Sequence, residues 1–254
     1  MTRQDIACGS YPSALPVRIS GALFRSPVAS DIYDGRDPYS LPLYSQREAA
    51  HIVGASPSTV RGWVAPVPKG ARVSEPVIRL PEAGDGRLSF YNVIEAFVLN
   101  LIRQERVSMT AVRSAVSHAE RAMGIERLLI RKELRWESGG QLFWEELSSL
   151  TNLDPSGQLA MRDLVSSYLR RVDWDDETGL PRRFFPPVKM RAGSRGVAVD
   201  PRVSFGQPTV AGTGIGTAVV ARRINAGEDL AAVADDYGVD VDRLVQAIVY
   251  ETAR

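Results

Sequence analysis

Tyr44-Ser-Gln-Arg-Glu-Ala-Ala-His-Ile-Val-Gly-Ala-Ser-Pro-Ser-Thr-Val-Arg-Gly-Trp63 predicts helix, tight turn, helix. Ser45 suits the N-cap of the first helix, and Glu48 stands three residues on, where a capping box places its carboxylate. Ala49, Ile52 and Val53 follow at the spacing of a buried helical face. Gly54 suits the left-handed residue that ends the helix. Ser56 is then a second N-cap, and Pro57 fits the first position of a new helix. Val60 and Trp63 turn inward, which leaves Ser58, Thr59 and Arg61 outward. A short helix with small polar residues and an arginine at its exposed start suits a DNA major groove. An ordinary helical hairpin is the competing reading. Two consecutive caps at this spacing favour DNA contact.

The segment from Val64 to Leu88 is broken by Pro66, Pro68, Gly70, Pro76, Pro81, Gly84 and Gly86. Short apolar pieces between these breakers fit the β-hairpin wing of a winged helix-turn-helix. Lys69, Arg72, Arg79 and Arg87 could reach phosphates from it, or serve as solvated surface cations. With Arg47, Ser56, Ser58, Thr59 and Arg61, the residues Lys69, Arg72 and Arg87 make up the candidate DNA-binding set. The charge distribution agrees in sign. From Tyr44 to Arg135 there are 14 Lys+Arg against 9 Asp+Glu, a balance of +5, whereas from Trp136 to Arg254 there are 13 against 17, a balance of −4. The basic half holds the helix-turn-helix, as a phosphate-facing surface requires.

Elsewhere the chain divides into an irregular arm over 1–43, with a short strand expected around Val17–Phe24, and a connecting region over 105–187. Val93, Ile94, Phe97, Val98, Leu101 and Ile102 predict a buried helix ahead of that region. A second helix begins near Ser108, and its small-residue stripe allows close packing within the domain or across a dimer. Leu128–Trp136 reads as a strand, with Gln141–Leu147 as its partner across Ser138-Gly-Gly140. Residues 157–172 read as an amphipathic helix and Asp173–Pro187 as a linker or edge segment that divides the chain. Residues 188–254 then supply extended pieces and three helices. Val219, Val220 and Ile224, with Leu230, Val233, Ala234 and Tyr237 and then Leu244, Val245, Ile248 and Val249, suffice for their core. The expected class is mainly α (α+β): an N-terminal winged helix-turn-helix over 44–104 and a C-terminal three-helix unit that is itself helix-turn-helix-like. That second unit carries Glu228, Asp229, Asp235, Asp236, Asp240 and Asp242 before its first cation, Arg243, so phosphates would repel it. It reads as a protein-contact module.

Other chemistries find little support. Gly212-Thr-Gly-Ile-Gly-Thr217 lacks the G-K-[ST] ending of a phosphate-cradling loop and the βαβ setting of a dinucleotide fingerprint. Cys8 is the sole cysteine, and His51 and His118 are the sole histidines, so no cysteine zinc site or histidine cluster is spelled out. Glu145-Glu146 and Asp173–Glu177 read as solvated acidic faces, and no nucleophile–base pair is visible. We therefore expect no enzyme activity, no catalytic residue, no metal and no cofactor. No apolar run is long enough to span a bilayer and no signal pattern opens the chain, so a cytoplasmic protein is expected.

Two motifs together resemble a known family. The front, Y-S-x-R-E-A-A, then G-x-S-P-S-T-V-R-x-W, a wing and L-S-F, is similar to MerR-like winged helix-turn-helix units. The back carries Asp200, Pro201, Gly206, Pro208, Val210, Gly212, Thr213 and Ile215, then Ala226-Gly-Glu228, then Ala234, Tyr237, Gly238 and Val239. It resembles a small bacterial domain of unknown function found in VapB-like antitoxins encoded beside PIN-domain ribonuclease toxins. That resemblance implies an antitoxin of a type II toxin–antitoxin module, which neutralises a PIN-like toxin and represses its own operon as a dimer. Such a dimer would present two recognition helices ~34 Å apart to operator DNA. Where the family usually has an arginine, Gly214 stands between Thr213 and Ile215. PIN-type active sites hold clustered carboxylates, so Arg222, Arg223, Arg243 and Arg254 become candidates for toxin contact. The alternative is a stand-alone MerR-like regulator whose C-terminal domain dimerises or senses a ligand.

Overall fold

The computed structural model describes residues 33–253, except 70–71, 83, 106, 135–139, 153–156, 158–162, 165, 169 and 189–192. The expected strand at Val17–Phe24 lies outside the described residues. The fold is mainly α, with three small two-stranded antiparallel sheets among the described residues. The front comprises α1 (Gln46–Val53), α2 (Pro57–Val64), a hairpin of β1 (Val67–Lys69) and β2 (Arg72–Ser74), and α3 (Phe90–Gln104). Then come α4 (Met109–Met123), two 3₁₀ turns at Leu128–Ile130 and Lys132–Leu134, α5 (Gln141–Thr151), and a hairpin of β3 (Val172–Trp174) with β4 (Pro181–Phe184). The back pairs β5 (Val197–Ala198) with β6 (Thr209–Val210) and adds α6 (Thr217–Asn225), α7 (Leu230–Tyr237) and α8 (Val241–Thr252).

The pillar of the front is α3. Ser89 caps it in a reciprocal box with Asn92, and every residue from Phe90 to Asn100 is buried. A helix buried all round must satisfy its polar side chains internally. Asn100 does so by donating from Nδ2 to the Val53 carbonyl (3.0 Å), which closes the end of α1. Asn92 donates to the Arg79 carbonyl (2.9 Å) and to Glu95 (2.8 Å). Glu95 also accepts from Arg127 Nε at 2.9 Å. These bonds clamp the helix-turn-helix and the segment after the β1–β2 hairpin onto one rod.

Three segments depart from the sequence-based expectation. Over Leu128–Leu134, the described part of the expected strand Leu128–Trp136, there is no strand. Leu128, Leu129 and Ile130 are buried consecutively in a 3₁₀ turn entered through left-handed Arg127, with no alternation of faces. Gln141–Leu147 is not its partner but the start of α5, with Phe143, Trp144 and Leu147 buried at helical spacing. The indole Nε1 of Trp144 donates to the Leu134 carbonyl (2.9 Å) and fixes that helix against the second 3₁₀ turn. Short apolar runs of this kind carry no decisive period. The helix expected over 157–172 stops short of Val172, which lies in β3, and much of its span is outside the described residues.

Asp173–Pro187 is not a divider either. It supplies most of the β3–β4 hairpin, whose turn is closed by Asp175 accepting from the Thr178 backbone (2.8 Å) and hydroxyl (2.9 Å). Phe184, fully buried, packs on Phe97 of α3 with ring centroids 4.7 Å apart. Its backbone exchanges hydrogen bonds with Val199 in both directions (2.9 and 2.8 Å), so the segment carries the front core directly into the back unit. The back core is built on Val197, Val210, Val220, Val233, Leu244, Ala247 and Tyr250. Val219, expected inside, is instead 37% exposed.

Front and back are locked by aromatic residues at the start of the described chain. Tyr44, buried to 1% exposure, exchanges backbone hydrogen bonds with Leu88 and donates its hydroxyl to the Gly206 carbonyl (3.0 Å). The Tyr33 hydroxyl donates to the Pro201 carbonyl. Arg202 lies over the Tyr39 ring at 5.4 Å. Arg183 bridges Asp200 (3.2 Å) and Asp173 (3.7 Å). Among the described residues no helix is long and apolar enough to cross a membrane.

Gly206 has φ +77°, and a Cβ there would lie 2.2 Å from the Tyr44 hydroxyl. Gly206→Ala should therefore destabilise the chain by about 2 kcal/mol or more, through backbone strain and overpacking together. An unchanged urea midpoint would show that this contact is absent in solution. Burial also pushes the phenols of Tyr44 and Tyr168 well above their ordinary value. A raised folded pKa means that stability is complete below the unfolded value near pH ~10 and declines as pH rises beyond it. Tyr44→Phe should cost about 1 kcal/mol at neutral pH through the lost hydrogen bond. Its stability should then fall less steeply than that of the native chain on titration above pH ~10.

Candidate nucleic-acid interface

The α1–α2 unit is assembled by local chemistry that the sequence spells out. The Ser45 Oγ accepts from the Glu48 amide (3.2 Å), and Glu48 accepts from the Ser45 amide (2.8 Å). Gly54 takes φ +69° and returns the chain through Ala55. Ser56 Oγ then accepts from the Thr59 amide (3.1 Å) to cap α2, with Pro57 in its first turn. Val60 and Trp63 are buried, and the Trp63 carbonyl accepts from the Ile78 amide (3.1 Å), which ties the end of α2 to the segment following the hairpin.

The residues expected to face DNA divide into groups. Ser56, Ser58 and Arg61 are exposed and Thr59 is half-buried, all on the outer side of α2. The Ser56 hydroxyl lies 2.9 Å from that of Ser58 and 2.8 Å from that of Thr59, so these three form one polar cluster at the start of the helix. Arg61 has no ion-pair partner among the described residues. Lys69 and Arg72 stand opposite one another in the β1–β2 register. Arg87 is partly spent on structure, since its Nη1 donates to the Leu43 carbonyl (3.2 Å) beside the entry to α1. Arg79 pairs with Glu75 at 3.4 Å on the surface.

Arg47 stands in the first turn of α1, on a face turned toward the back unit. With His51, Pro57, Pro187, Gln207 and Tyr250 it lines a cavity of about 550 Å³ between α1 and α8. His51 belongs to this junction, its ring 4.4 Å from that of Tyr250. One contact escaped the sequence reading. Arg113 of α4 donates to the Gly62 carbonyl of α2 at 3.4 Å, and no local pattern announces a bond across so many residues.

The back-unit cations are not equivalent. Arg223 donates to Glu228 and to Asp236 (2.6 Å), and its guanidinium stacks over Tyr237 at 5.0 Å. Both carboxylates push its pKa up, and Arg223 in turn holds the Glu228 carboxyl below its ordinary value. Arg243 donates to the Ala211 carbonyl (3.2 Å) and lies 3.9 Å from Asp240. Arg222 is exposed, and among the described residues its side chain donates only to Ala218 of its own helix. Arg254 lies outside the described residues. At Gly214, where the resemblance implies an arginine, a Cβ would meet nothing within 4 Å. Among the described residues no group of three or more His, Cys, Asp or Glu side chains is placed to hold a metal ion.

This architecture can be set beside known proteins. Residues 197–250, from β5 through most of α8, match the family described as "Protein of unknown function (DUF433)". The chain is 28% identical over 228 residues to a Mycobacterium tuberculosis protein named "Putative antitoxin VapB45", covering 83% of this chain and 94% of that one. The resemblance to a VapB-like antitoxin that ends in such a domain is borne out. The crystal structure of Rv2018 from Mycobacterium tuberculosis matches with a TM-score of 0.61 over 83% of this chain and 98% of that one. At 24% identity that likeness is one of fold.

Proposed function

We propose that this protein is the antitoxin of a VapBC-like module, and that it acts as a DNA-binding autorepressor that also captures a PIN-like ribonuclease toxin. The observation that carries the reading is the match to a protein named as an antitoxin, which takes in 94% of that protein and 83% of this chain. The front supports the DNA half. It offers a short helix with Ser56, Ser58 and Arg61 exposed and Val60 and Trp63 anchoring it from beneath, beside a two-stranded hairpin that carries Lys69 and Arg72. Arg61 is the side chain best placed to read a base, since no carboxylate among the described residues holds it back. Lys69, Arg72 and Arg87 would position the duplex through phosphates. The acidic back unit suits protein contact, and Arg223 is already held there in internal ion pairs with Glu228 and Asp236.

Co-expression with the product of the adjacent gene tests the antitoxin half. A stable complex in which ribonuclease activity is suppressed supports it. A neighbour that is harmless alone and forms no complex would leave a stand-alone regulator. For the DNA half, Arg61→Ala should weaken operator binding by about 1–3 kcal/mol and relax base preference at one position of each half-site. Gel-shift titration with operator and scrambled duplexes measures both effects, and an unchanged operator affinity would mean that α2 is not the reading helix. Arg223→Ala should leave toxin capture intact while loosening the α6–α7 corner.

A further inference from the structure

The loop between β5 and β6 combines two features that ordinary folding energetics would not put together. Ser204, Phe205 and Gly206 occupy the left-handed region in succession, with φ of +48°, +53° and +77°. Two of the three are not glycine, and for a bulky residue such as phenylalanine this conformation is costly. The surroundings hold it in place. Ser204 Oγ donates to the Gly214 carbonyl (3.0 Å), the Gly206 amide donates to the Val203 carbonyl (3.0 Å), and the Gly206 carbonyl accepts from buried Tyr44. Among the described residues the strain yields no buried contact in return: Phe205 is left 61% exposed, with the Tyr33 ring edge-on at 6.2 Å. Scattered surface leucines and valines are normal, but an aromatic ring held out by a strained, over-determined backbone is not.

The neighbourhood extends this ring into a surface. Gly214, which takes the Ser204 hydrogen bond, leads through Gly216 to α6, whose Val219 is 37% exposed and donates from its backbone amide to the Gly216 carbonyl (3.0 Å). Arg222 lies one turn beyond Val219 on the same side of α6, and Arg202 is exposed three residues before Phe205. Phe205 and Val219 are thus the exposed apolar side chains of this end, with the exposed cations Arg202 and Arg222 beside them; Asp200 is buried here and Glu251 accepts from Thr217 at the start of α6.

We propose that Phe205 is the apolar anchor by which the back unit grips its toxin-type partner protein. It would insert into an apolar pocket whose rim carries carboxylates opposite Arg202 and Arg222. The inference rests on the antitoxin reading above and names the residue that would carry it. Exposed aromatics that enter a partner's pocket dominate such interfaces, and a ring already fixed in its bound geometry loses little freedom on binding.

The full chain is co-expressed with the product of the adjacent gene, and the affinity of the complex is measured for the native chain, Phe205→Ala and Phe205→Gly. Both variants should weaken capture by about 30-fold or more. Phe205→Gly should keep or raise the urea midpoint of the isolated protein, because glycine removes the left-handed strain. Weak capture by a variant at least as stable as the native chain cannot come from misfolding. If the native chain captures the neighbour and both variants match it, the anchor is wrong while the antitoxin reading stands. If the native chain captures nothing, both fall. If the variants lose self-association but keep capture, Phe205 serves a second copy of this chain and the proposal is overturned.

Discussion

Tyr44 sits where the approach to α1, the approach to α3 and the loop between β5 and β6 meet. Its backbone pairs with Leu88, so the strand-like approach to α1 and the approach to α3 are bonded side by side before either helix begins. Its ring is buried in the front core, and its hydroxyl reaches the Gly206 carbonyl of the back unit. The next residue, Ser45, caps α1. Burying a phenol without a partner costs more than the bond itself gives back. The Gly206 carbonyl is therefore a requirement of this arrangement, and Gly206 must be glycine because the bond brings the oxygen within 2.2 Å of where a Cβ would stand.

What could be read from the chain alone follows from the range of the forces involved. Caps, left-handed glycines and proline in a first helical turn act within four residues, so Ser45, Glu48, Gly54, Ser56 and Pro57 announce α1 and α2 fully. The three back helices are announced in the same way by Gly227, Asp229 and Gly238. The misreadings fall where the deciding interaction is distant. Phe143 and Trp144 look alike in strand or helix until the Leu134 carbonyl claims the indole. Asp173–Pro187 looks like a linker because its charges are visible and the burial of Phe184 against Phe97 is not. Val219 fits an apolar stripe as well as Val220 does, and only the packed structure shows which of the two is covered. Phe205 has no local signal at all, since nothing in Val203-Ser-Phe-Gly206 announces three consecutive left-handed residues.

The arginines show why counting charges by region goes only part of the way. A net balance locates a basic half, but availability depends on the partner each guanidinium already has. Arg127 and Arg183 are committed to Glu95 and Asp200, both largely buried, and Arg223 is held between two carboxylates. Arg61 and Arg222 are exposed and lack such commitments among the described residues, one on each unit. They lie on different structural elements. Placed at the start of an exposed short helix, Arg61 suits planar, bidentate recognition of a base edge. On the flank of an apolar patch, Arg222 suits charge complementarity at the rim of a protein interface, where it would affect the rate of encounter more than its strength.

Gly206 belongs to both arrangements. Its amide and φ shape the loop that displays Phe205, and its carbonyl holds the residue that precedes α1. A partner that seized Phe205 would thus pull on a loop one hydrogen bond away from the entry to the helix-turn-helix. Contiguity alone does not make the two sites dependent on each other. Coupling requires an element with two arrangements that each ligand favours differently. Tyr44 is packed on all sides, and the bonds at Ser204, Gly206 and Leu88 each fix the same geometry, which describes one well and not two. A junction of this kind transmits position rather than a switch. It would hold a captured partner at a set distance and angle from α1 and α2, so any effect of that partner on operator binding would arise from where its bulk and charge lie relative to the duplex.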